Sequence, residues 1–461
     1  MFELEDERKA LLEKIEDLIS QKRYAELRDL LVPLEAPDIA LLCGELGEAQ
    51  LPLLFRLLPK ELAAEVFVEL DSDQQEMLIR GFSNTELKEV LDELYLDDTV
   101  DIVEEMPANV VKRILKHSDP ETRKSINEIL KYPDDSAGSM MTTEFVDLKE
   151  TMTVEAALKR IRRTGPDKET INICYVIDEG RHLLGVLSIR TLLLAEEDDV
   201  IGDIMERNFI SVQTLDDQET TARALGKYDF LALPVVDQEN RLVGIVTVDD
   251  AMDVLQEEVT EDIEKMAAIV PTDKPYLKTG IFETFKARIP WLLLLMISAT
   301  FTGQIISSFE NALAAFTVLT AYIPMLMDTG GNCGSQASVT VIRGISLNEI
   351  EFSDLFRVIW KEMRVGLTCG IVLSAANFVK LMLIDRMLFH NPMVTPTVAL
   401  VVCGTLVFTV FCAKLVGCTL PLLAKKIGFD PAVMASPFIT TIVDAISLLI
   451  YFQFATTILG I

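Results

Sequence analysis

The chain has 461 residues, a formal net charge of −30 at pH 7 and 50% hydrophobic residues. Residues 1–280 hold 31 of the 42 Lys and Arg and 62 of the 72 Asp and Glu, whereas residues 281–461 hold only 11 and 10. The acidic front half excludes nucleic acid as a partner, because it repels phosphate, and it attracts cations. Seven scattered cysteines without C-x-x-C spacing exclude a thiolate zinc site and a disulfide framework.

Residues 1–135 are predicted to form a helical N-terminal domain. The opening "MFELEDERKALLEK" has neither the basic nor the apolar region of a signal peptide, so we expect this part to stay in the cytosol. Apolar residues recur three and four positions apart in segments such as "ELAAEVFVEL", with breaks at Pro59, Pro107 and short Asp, Ser and Asn turns. Helices of this kind favour an all-α superhelical array.

Residues 136–199 and 200–256 contain a duplication. "YVIDEGRHLLGVLSIRTLL" aligns without gaps to "PVVDQENRLVGIVTVDDAM", and each copy has a strand, an acidic turn, a strand after a glycine, a hydroxyl residue and a helix. This pattern resembles a tandem pair of CBS domains, α/β modules that often bind adenine nucleotides. In that family an Asp three residues after the hydroxyl residue commonly holds the ribose. Asp250 fits this place in the second copy, but Thr191 occupies it in the first, which leaves ATP open as a modulator. The candidate nucleotide-binding residues are Ser188, Arg190, Phe230 and Thr247.

Residues 257–280 are predicted to form an acidic helix and a Pro-bearing joint that lead into the apolar half. Within residues 281–461 we expect a polytopic helical domain of five spans, each long enough for a bilayer of about 30 Å. The spans are 287–308, 312–342, 361–384, 394–423 and 431–459. Basic residues precede the first span and lie between the second and third and after the fourth, which predicts a cytosolic N-terminal half and an external C-terminus.

The second span is predicted to be a broken helix. Pro324 is followed by "MDTGGNCGSQAS", in which three glycines lie beside Asn332 and Gln336. Irregular polar backbone at membrane depth survives only against protein or a water-filled cavity, and its freed carbonyls form hard-oxygen ion sites in transporters. A glycine-rich packing seam between helices is the alternative.

The fifth span contains Asp444, the single charged residue between Pro431 and the end of the chain. A charge at the centre of a membrane helix costs roughly 3 kcal/mol. Thr440 lies four residues earlier on the same helical face, and Pro437 is expected to leave the carbonyl of Val433 without its donor. Oxygen ligands without His or Cys suit Mg²⁺, Ca²⁺ or Mn²⁺. Two symmetry-related carboxylates would hold a largely hydrated Mg²⁺. A structural Asp bonded to a neighbouring helix is the alternative.

"TGGNCGSQ" and "PLLAKKIGFDPAVMASPFITTIVDAISLLIYF", together with the helical and CBS-like front half, resemble the MgtE family of bacterial magnesium channels over nearly the whole chain. The resemblance implies a homodimer in the inner membrane, with a pore on the two-fold axis lined by the second and fifth spans. The pore residues that it implies are Asp444, Thr440, Thr441, Asn332, Gly330, Gly331 and Gly334.

The resemblance also implies that intracellular Mg²⁺ closes the pore by binding the cytosolic half. Like-charged residues four apart on one helical face, as at Asp97 and Asp101, are destabilising unless a cation lies between them. The implied sensor residues are Asp97, Asp101, Asp217, Glu219, Asp229, Asp250, Asp253, Glu258, Glu261 and Asp262.

Other functions remain to be weighed against magnesium transport. Three separate histidines without H-E-x-x-H, and no Walker motif, argue against a hydrolase or a transport ATPase. A CBS-regulated anion channel would need a basic or amide-rich pore. A transporter of Mn²⁺, Co²⁺ or Ca²⁺, and a membrane-tethered nucleotide sensor that moves no ion, stay open at this point. Lys414, within the fourth span, is expected to reach the headgroups or to pair with a neighbour.

Overall fold

The computed structural model describes residues 2–46, 50–272, 276–277, 279–434 and 436–460. The chain divides into two compact units, residues 1–255 and 256–461. The predicted joint at 257–280 includes residues 273–275 and 278, which lie outside the described residues.

The described part of the first unit begins with ten helices, most of them short, in agreement with the predicted helical array. Polar residues at the turns fix where several of them start: Asp71 accepts a hydrogen bond from the backbone of Gln74, and Ser83 and Glu86 form a capping box. The helices are α1 Phe2–Ser20, α2 Tyr24–Leu31, α3 Ala36–Glu45, α4 Leu51–Phe55, α5 Lys60–Val68, α6 Ser72–Gly81, α7 Asn84–Leu91, α8 Leu96–Glu105, α9 Ala108–His117 and α10 Pro120–Ile129.

Two three-stranded sheets follow, one for each copy of the sequence duplication. In each sheet the middle strand pairs in parallel with the first strand and antiparallel with the third. The strands are β1 Val146–Lys149, β2 Ile173–Ile177, β3 Leu183–Ser188, β4 Val212–Gln213, β5 Ala232–Val236 and β6 Leu242–Thr247. The helices are α11 Val154–Thr164, α12 Ile189–Leu194, α13 Ile201–Ile204, α14 Gln218–Tyr228 and α15 Val248–Met266.

The repeated glycines of the two copies have the same packing role. A Cβ atom on Gly185 would lie 2.8 Å from the carbonyl oxygen of Glu206, and one on Gly244 would lie 2.8 Å from that of Thr142. Only glycine lets the strand approach the neighbouring backbone this closely. This close approach explains why the duplication keeps glycine at both positions.

The described part of the second unit contains six further α-helices. They are α16 Ile281–Ser308, α17 Glu310–Ala315, α18 Ile323–Ser346, α19 Leu355–Lys380, α20 Pro396–Lys426 and α21 Ser436–Leu459. Among the described residues, four helical segments are long and apolar enough to cross a membrane: Ile281–Ser308, Phe352–Leu388, Pro396–Lys426 and Pro431–Leu459. The predicted second span is not among them, so the count of five spans stays a prediction.

The prediction of a broken second span is wrong. α18 is one continuous α-helix from Ile323 to Ser346, and Pro324 lies in its first turn, where no intrahelical N–H bond is lost. Gly330, Gly331 and Gly334 are helical and form no turn. They serve the alternative purpose, close helix packing, because neighbouring side chains occupy the space that a Cβ would need.

Pro437 does not interrupt a longer helix in the fifth span, so the expected reason for a free carbonyl at Val433 does not apply. α21 begins at Ser436, so Pro437 is its second residue, and residues 431–434 form a separate 3-10 turn. A proline in the first turn replaces an N–H that has no intrahelical acceptor. It therefore leaves no gap in the hydrogen bonds of a longer helix.

Candidate metal-ion sites

Asp444 lies in the middle of α21 with one carboxylate oxygen unsatisfied. Its Oδ1 is buried and has no hydrogen-bond partner among the described residues. The hydroxyls of Thr440 and Thr441 donate to the carbonyls of Ser436 and Pro437, one turn earlier in the same helix. The alternative of a structural Asp bonded to a neighbouring helix therefore finds no support, and the free oxygen remains available to an external ligand.

Glycines bring α18 against α21 at the level of Asp444. A Cβ on Gly331 would lie 2.8 Å from Cγ2 of Thr440, and one on Gly330 would lie 2.9 Å from Oγ of Ser447 and 3.0 Å from Cγ1 of Val443. Backbone contact of this kind needs small residues in membrane helices. The glycines thus place the backbone of α18 beside the carboxylate of α21.

One face of α18 is polar and exposed. Asn332, Gln336 and Thr340 follow one another at intervals of four residues and are all exposed, and Ser335 lies next to them. Residues Asn332, Ser335, Gln336 and Thr340 line an open cavity. A polar stripe on a membrane helix faces water, another subunit or a cavity rather than lipid.

Asp328 is a residue that the sequence reasoning missed. It lies on α18, is exposed, and is close enough to Asp444 for the two charges to interact. The sequence carried one signal for it, a charged residue inside the quoted motif "MDTGGNCGSQAS".

Acidic residues of α8 and α15 meet within the first unit. Asp97 is buried, and burial together with the charges of Asp250, Glu169 and Asp98 raises its pKa well above the usual range. Desolvation by the surrounding protein and the charge of Asp250 raise the pKa of Asp101 to about 7, although part of its side chain reaches solvent. Burial also raises the pKa of Asp250. The predicted residues Asp97, Asp101 and Asp250 thus belong to one cluster.

The cluster contains two acids that the sequence reasoning missed. Burial and the charges of Asp250 and Asp249 raise the pKa of Asp98 to about 7. Burial and the charges of Asp98 and Asp250 raise the pKa of Glu169 to about 8, and its Oε2 is buried without a hydrogen-bond partner among the described residues. Glu169 belongs to the first CBS-like copy, so nothing in the local pattern of α8 or α15 predicts it.

The carboxylates are crowded but do not form a closed chelate. No group of three or more His, Cys, Asp or Glu in the described part of the chain has the geometry to hold a metal ion directly. Repulsion between these carboxylates raises several of their pKa values, and a bound cation would relieve that repulsion. The donor set therefore fits a hydrated divalent ion, which binds through its waters, better than a dehydrated one.

Three further predicted sensor residues lie at α14: Asp217 just before it, Glu219 within it and Asp229 just after it. Asp217 caps α14 by accepting from the backbone and the hydroxyl of Thr220. Glu219 forms an ion pair with Arg223 one turn later. Asp229 ends the helix in a left-handed conformation with φ of 54°. The structure gives these residues helix-capping and pairing roles.

The last turns of α15 belong to the second unit and contact other parts of that unit through charged groups. The ammonium of Lys265 lies 2.6 Å from Oε1 of Glu261 and 2.8 Å from Oδ2 of Asp430, in the loop between α20 and α21. The hydroxyl of Ser346, at the end of α18, donates to Oδ2 of Asp262 over 3.4 Å. Burial and the charge of Asp430 raise the pKa of Asp262.

Two other predicted sensor residues lie on α15. Asp253 is exposed, and its pKa is raised by desolvation and by Asp249. Glu258 is half-buried on the next turn.

A cavity of about 340 Å³ lies between the two CBS-like copies. Ser188 and Phe230 line it, together with Thr191, and the hydroxyl oxygens of Ser188 and Thr191 are 2.8 Å apart. The other two predicted residues do not line it: Arg190 is exposed, and the hydroxyl of buried Thr247 donates to Asp250. Two of the four predicted nucleotide-binding residues thus line one cavity.

Comparison with known proteins gives three family matches along the chain. An MgtE intracellular N domain matches residues 34–135, CBS domains match 137–198 and 201–257, and the MgtE divalent cation transporter family matches 323–454. The magnesium transporter MgtE of Thermus thermophilus is 38% identical over 96% of this chain and 98% of its own length. The chain belongs to the MgtE family.

Other relatives agree with this membership. The magnesium transporter MgtE of Bacillus subtilis is 33% identical over 97% of each chain. A crystal structure of the cytosolic domain of the Mg²⁺ channel MgtE in complex with ATP matches 53% of this chain and 99% of its own, with 39% identity and a TM-score of 0.51. A crystal structure of the soluble part of a magnesium transporter matches 54% of this chain with 31% identity and a TM-score of 0.50. The predicted family, and the order of helical domain, CBS pair and helical membrane domain, are confirmed.

Proposed function

We propose that this chain carries Mg²⁺ across the bacterial inner membrane as a homodimer, with Asp444 binding the ion in the pore. The unsatisfied buried Oδ1 of Asp444 is the observation that carries the proposal. It lies beside α18, whose exposed stripe of Asn332, Gln336 and Thr340 has no place in lipid. A second copy of the chain across a two-fold axis would cover this stripe and turn it toward a shared pore.

The ion would pass with most of its water shell in place. Mg²⁺ sheds water reluctantly, and one carboxylate from each subunit offers too few ligands to replace six waters. The amide groups of Asn332 and Gln336 suit hydrogen bonds to coordinated water. The relatives carry the name of magnesium transporters, which favours Mg²⁺ over Mn²⁺, Co²⁺ or Ca²⁺. A nucleotide sensor that moves no ion would leave the polar stripe and Asp444 without a purpose.

The pore residue is tested by growth rescue in a host that lacks magnesium uptake. We expect the wild-type chain to restore growth at low external Mg²⁺ and the Asp444→Ala variant to lose rescue. Glu310→Gln, which removes an exposed acid at the start of α17, is the matched control and should rescue. Unchanged uptake by Asp444→Ala, at equal amounts of protein in the membrane, would refute the pore assignment.

For the cytosolic half we propose a magnesium sensor. The carboxylates Asp97, Asp101 and Asp250 repel one another when Mg²⁺ is scarce, and bound Mg²⁺ would draw α8 and α15 together. α15 carries Asp250 near its start and Asp262 near its end, and the Asp262 end contacts Ser346 of α18. A change at the start of this helix would thereby reach the cytosolic end of α18, and the pore would close.

The sensor proposal has its own test. We expect the combined variant Asp250→Asn, Glu258→Gln and Asp262→Asn to need more internal Mg²⁺ for closure, measured as patch currents at several internal concentrations. Neutralising Glu128 and Glu155, two exposed acids in surface pairs with Lys, is the control and should leave inhibition unchanged. Identical inhibition of the triple variant and the wild type would remove the sensor role.

We also propose ATP as a modulator that binds the cavity between the CBS copies. The support is the ATP complex of the similar cytosolic domain, together with the half-buried ring of Phe230, which lines the cavity with Ser188. Thr191 offers a hydroxyl where an Asp commonly holds the ribose, so we expect weak binding that Thr191→Asp strengthens. Calorimetry with ATP measures this, and equal affinities of both chains would contradict it.

A further inference from the structure

α18 and α21 run antiparallel in a register that their close contacts define. Gly330 faces Val443 and Ser447, whereas Gly334, one turn later, faces Ile439. Moving four residues forward on α18 therefore moves about one turn back on α21. Asp444 lies at the level of Gly330 and Gly331.

The register also gives the depth of Asp328 along the helix axis. It lies two residues before Gly330, about 3 Å further along the helix axis toward the end at Ile323. This end is the external one under the proposed topology. Asp328 is exposed on the edge of the polar stripe that continues through Asn332 and Gln336 at intervals of four residues. The stripe thus begins with a carboxylate that lies slightly closer to the external side than Asp444 does.

The two carboxylates have no basic partner. Among the described residues, no Lys or Arg forms a salt bridge with Asp328 or with Asp444. The register places the two carboxylates within about one helical turn of each other along the helix axis. In a membrane helix, ionisable residues pair with one another or mark an ion path. Two unpaired like charges at nearly the same depth fit the second case, because both attract a cation that passes between them.

We propose that Asp328 is a second ion-binding carboxylate of the pore, placed on the external side of Asp444, which captures the hydrated divalent cation before Asp444 receives it. This inference rests on the proposed function. Asp328 is an anion that the ion meets first, and the amides of Asn332 and Gln336 continue the path inward on the same face of α18. In a dimer the outer pair and the inner pair would form two successive sites for one water-clad ion.

The test uses the full chain in patch recordings with external Mg²⁺ varied. Hexaamminecobalt(III), which has the size of hydrated Mg²⁺ and keeps its ligands, serves as an external blocker. We expect Asp328→Asn to raise the half-saturating Mg²⁺ concentration about tenfold and to weaken the cobalt block. Asp328→Glu should keep both close to wild type, since it keeps the charge. Glu310→Gln is the control for loss of one external charge away from the stripe.

The outcomes separate the two proposals. If Asp444→Asn stops the current but Asp328→Asn and Asp328→Ser keep wild-type saturation and block, the outer site is refuted and the proposed function stands. If Asp444→Asn conducts as the wild type does, the proposed function itself fails. If Asp328→Asn does not reach the membrane, Asp328→Ser is recorded in its place.

Discussion

Lys414 of α20 and Glu362 of α19 are buried side by side, with Nζ 3.9 Å from Oε2. This answers why a cation lies inside an apolar helix: Lys414 pairs with a neighbour, one of the two outcomes expected from the sequence. The pair lines the same cavity as Asn332 and Gln336, and Glu362 offsets a positive charge near the proposed ion path.

Removing one partner of this pair should destabilise the membrane domain strongly. Lys414→Met leaves Glu362 as an uncompensated buried charge, so we expect a loss of about 3 to 5 kcal/mol. The double variant Lys414→Met with Glu362→Gln removes both charges and should recover most of the loss. Thermal unfolding in detergent measures this double-mutant cycle. A single variant as stable as the wild type would contradict the pairing.

Packing of α20 on α18 depends on a glycine. A Cβ on Gly417 would lie 2.2 Å from the carbonyl oxygen of Gly334. Gly417→Ala should therefore push the helices apart and cost about 1 to 3 kcal/mol. The control Gly303→Ala adds a methyl group with no heavy atom within 4 Å and should be neutral or slightly stabilising. If both variants melt at the same temperature, the helices are not held at this distance.

The carboxylate cluster predicts a pH dependence in the absence of divalent ions. The folded-state pKa values of Asp98 and Asp101 are raised to about 7 and that of Glu169 to about 8. The folded chain thus binds more protons than the unfolded chain between about pH 4 and pH 8. Its stability is full below the unfolded pKa and falls as pH rises through the folded values.

Hydrogen exchange of the α8 amides, corrected for the intrinsic pH effect, measures this change. We expect faster opening of Leu96–Glu105 at pH 8 than at pH 6. Because Asp250 contributes to the raised pKa values of Asp98 and Asp101, Asp250→Asn should reduce the difference, and added Mg²⁺ should do the same. A wild-type chain with equal protection at both pH values would show that the carboxylates do not repel one another.

Lys265 is expected to hold the end of α15 against the loop at Asp430. Burial would lower the pKa of this ammonium, but the nearby carboxylates Asp430 and Glu261 outweigh it and raise the pKa above its usual range. Lys265→Met should therefore speed hydrogen exchange in residues 256–266 several-fold. Lys159→Met removes a surface pair within α11 and is the control, with no effect there. Equal exchange in both variants would mean that Asp430 does not anchor α15.

Much of the fold followed from local patterns. The breaks between the N-terminal helices depend on Pro, Asp and Ser at fixed places, as the caps of Asp71 and Ser83 show. The CBS pair followed from a repeat that includes Gly185 and Gly244. The glycines of α18 left two roles open in the sequence, because helix flexibility and helix packing demand the same residue type. Only the side chains packed against Gly330 and Gly331 show that packing is their role.

The sequence by itself determined the domain order, the apolar segments and the lone charge at Asp444, because each depends on residues that are neighbours along the chain. Tertiary structure alone decided which distant groups meet. It brought Asp250 to Asp97, Lys414 to Glu362 and Asp328 to Asp444. The physical reason is that electrostatic and packing contacts depend on separation in space, and residues on different helices carry no record of that separation in their local pattern.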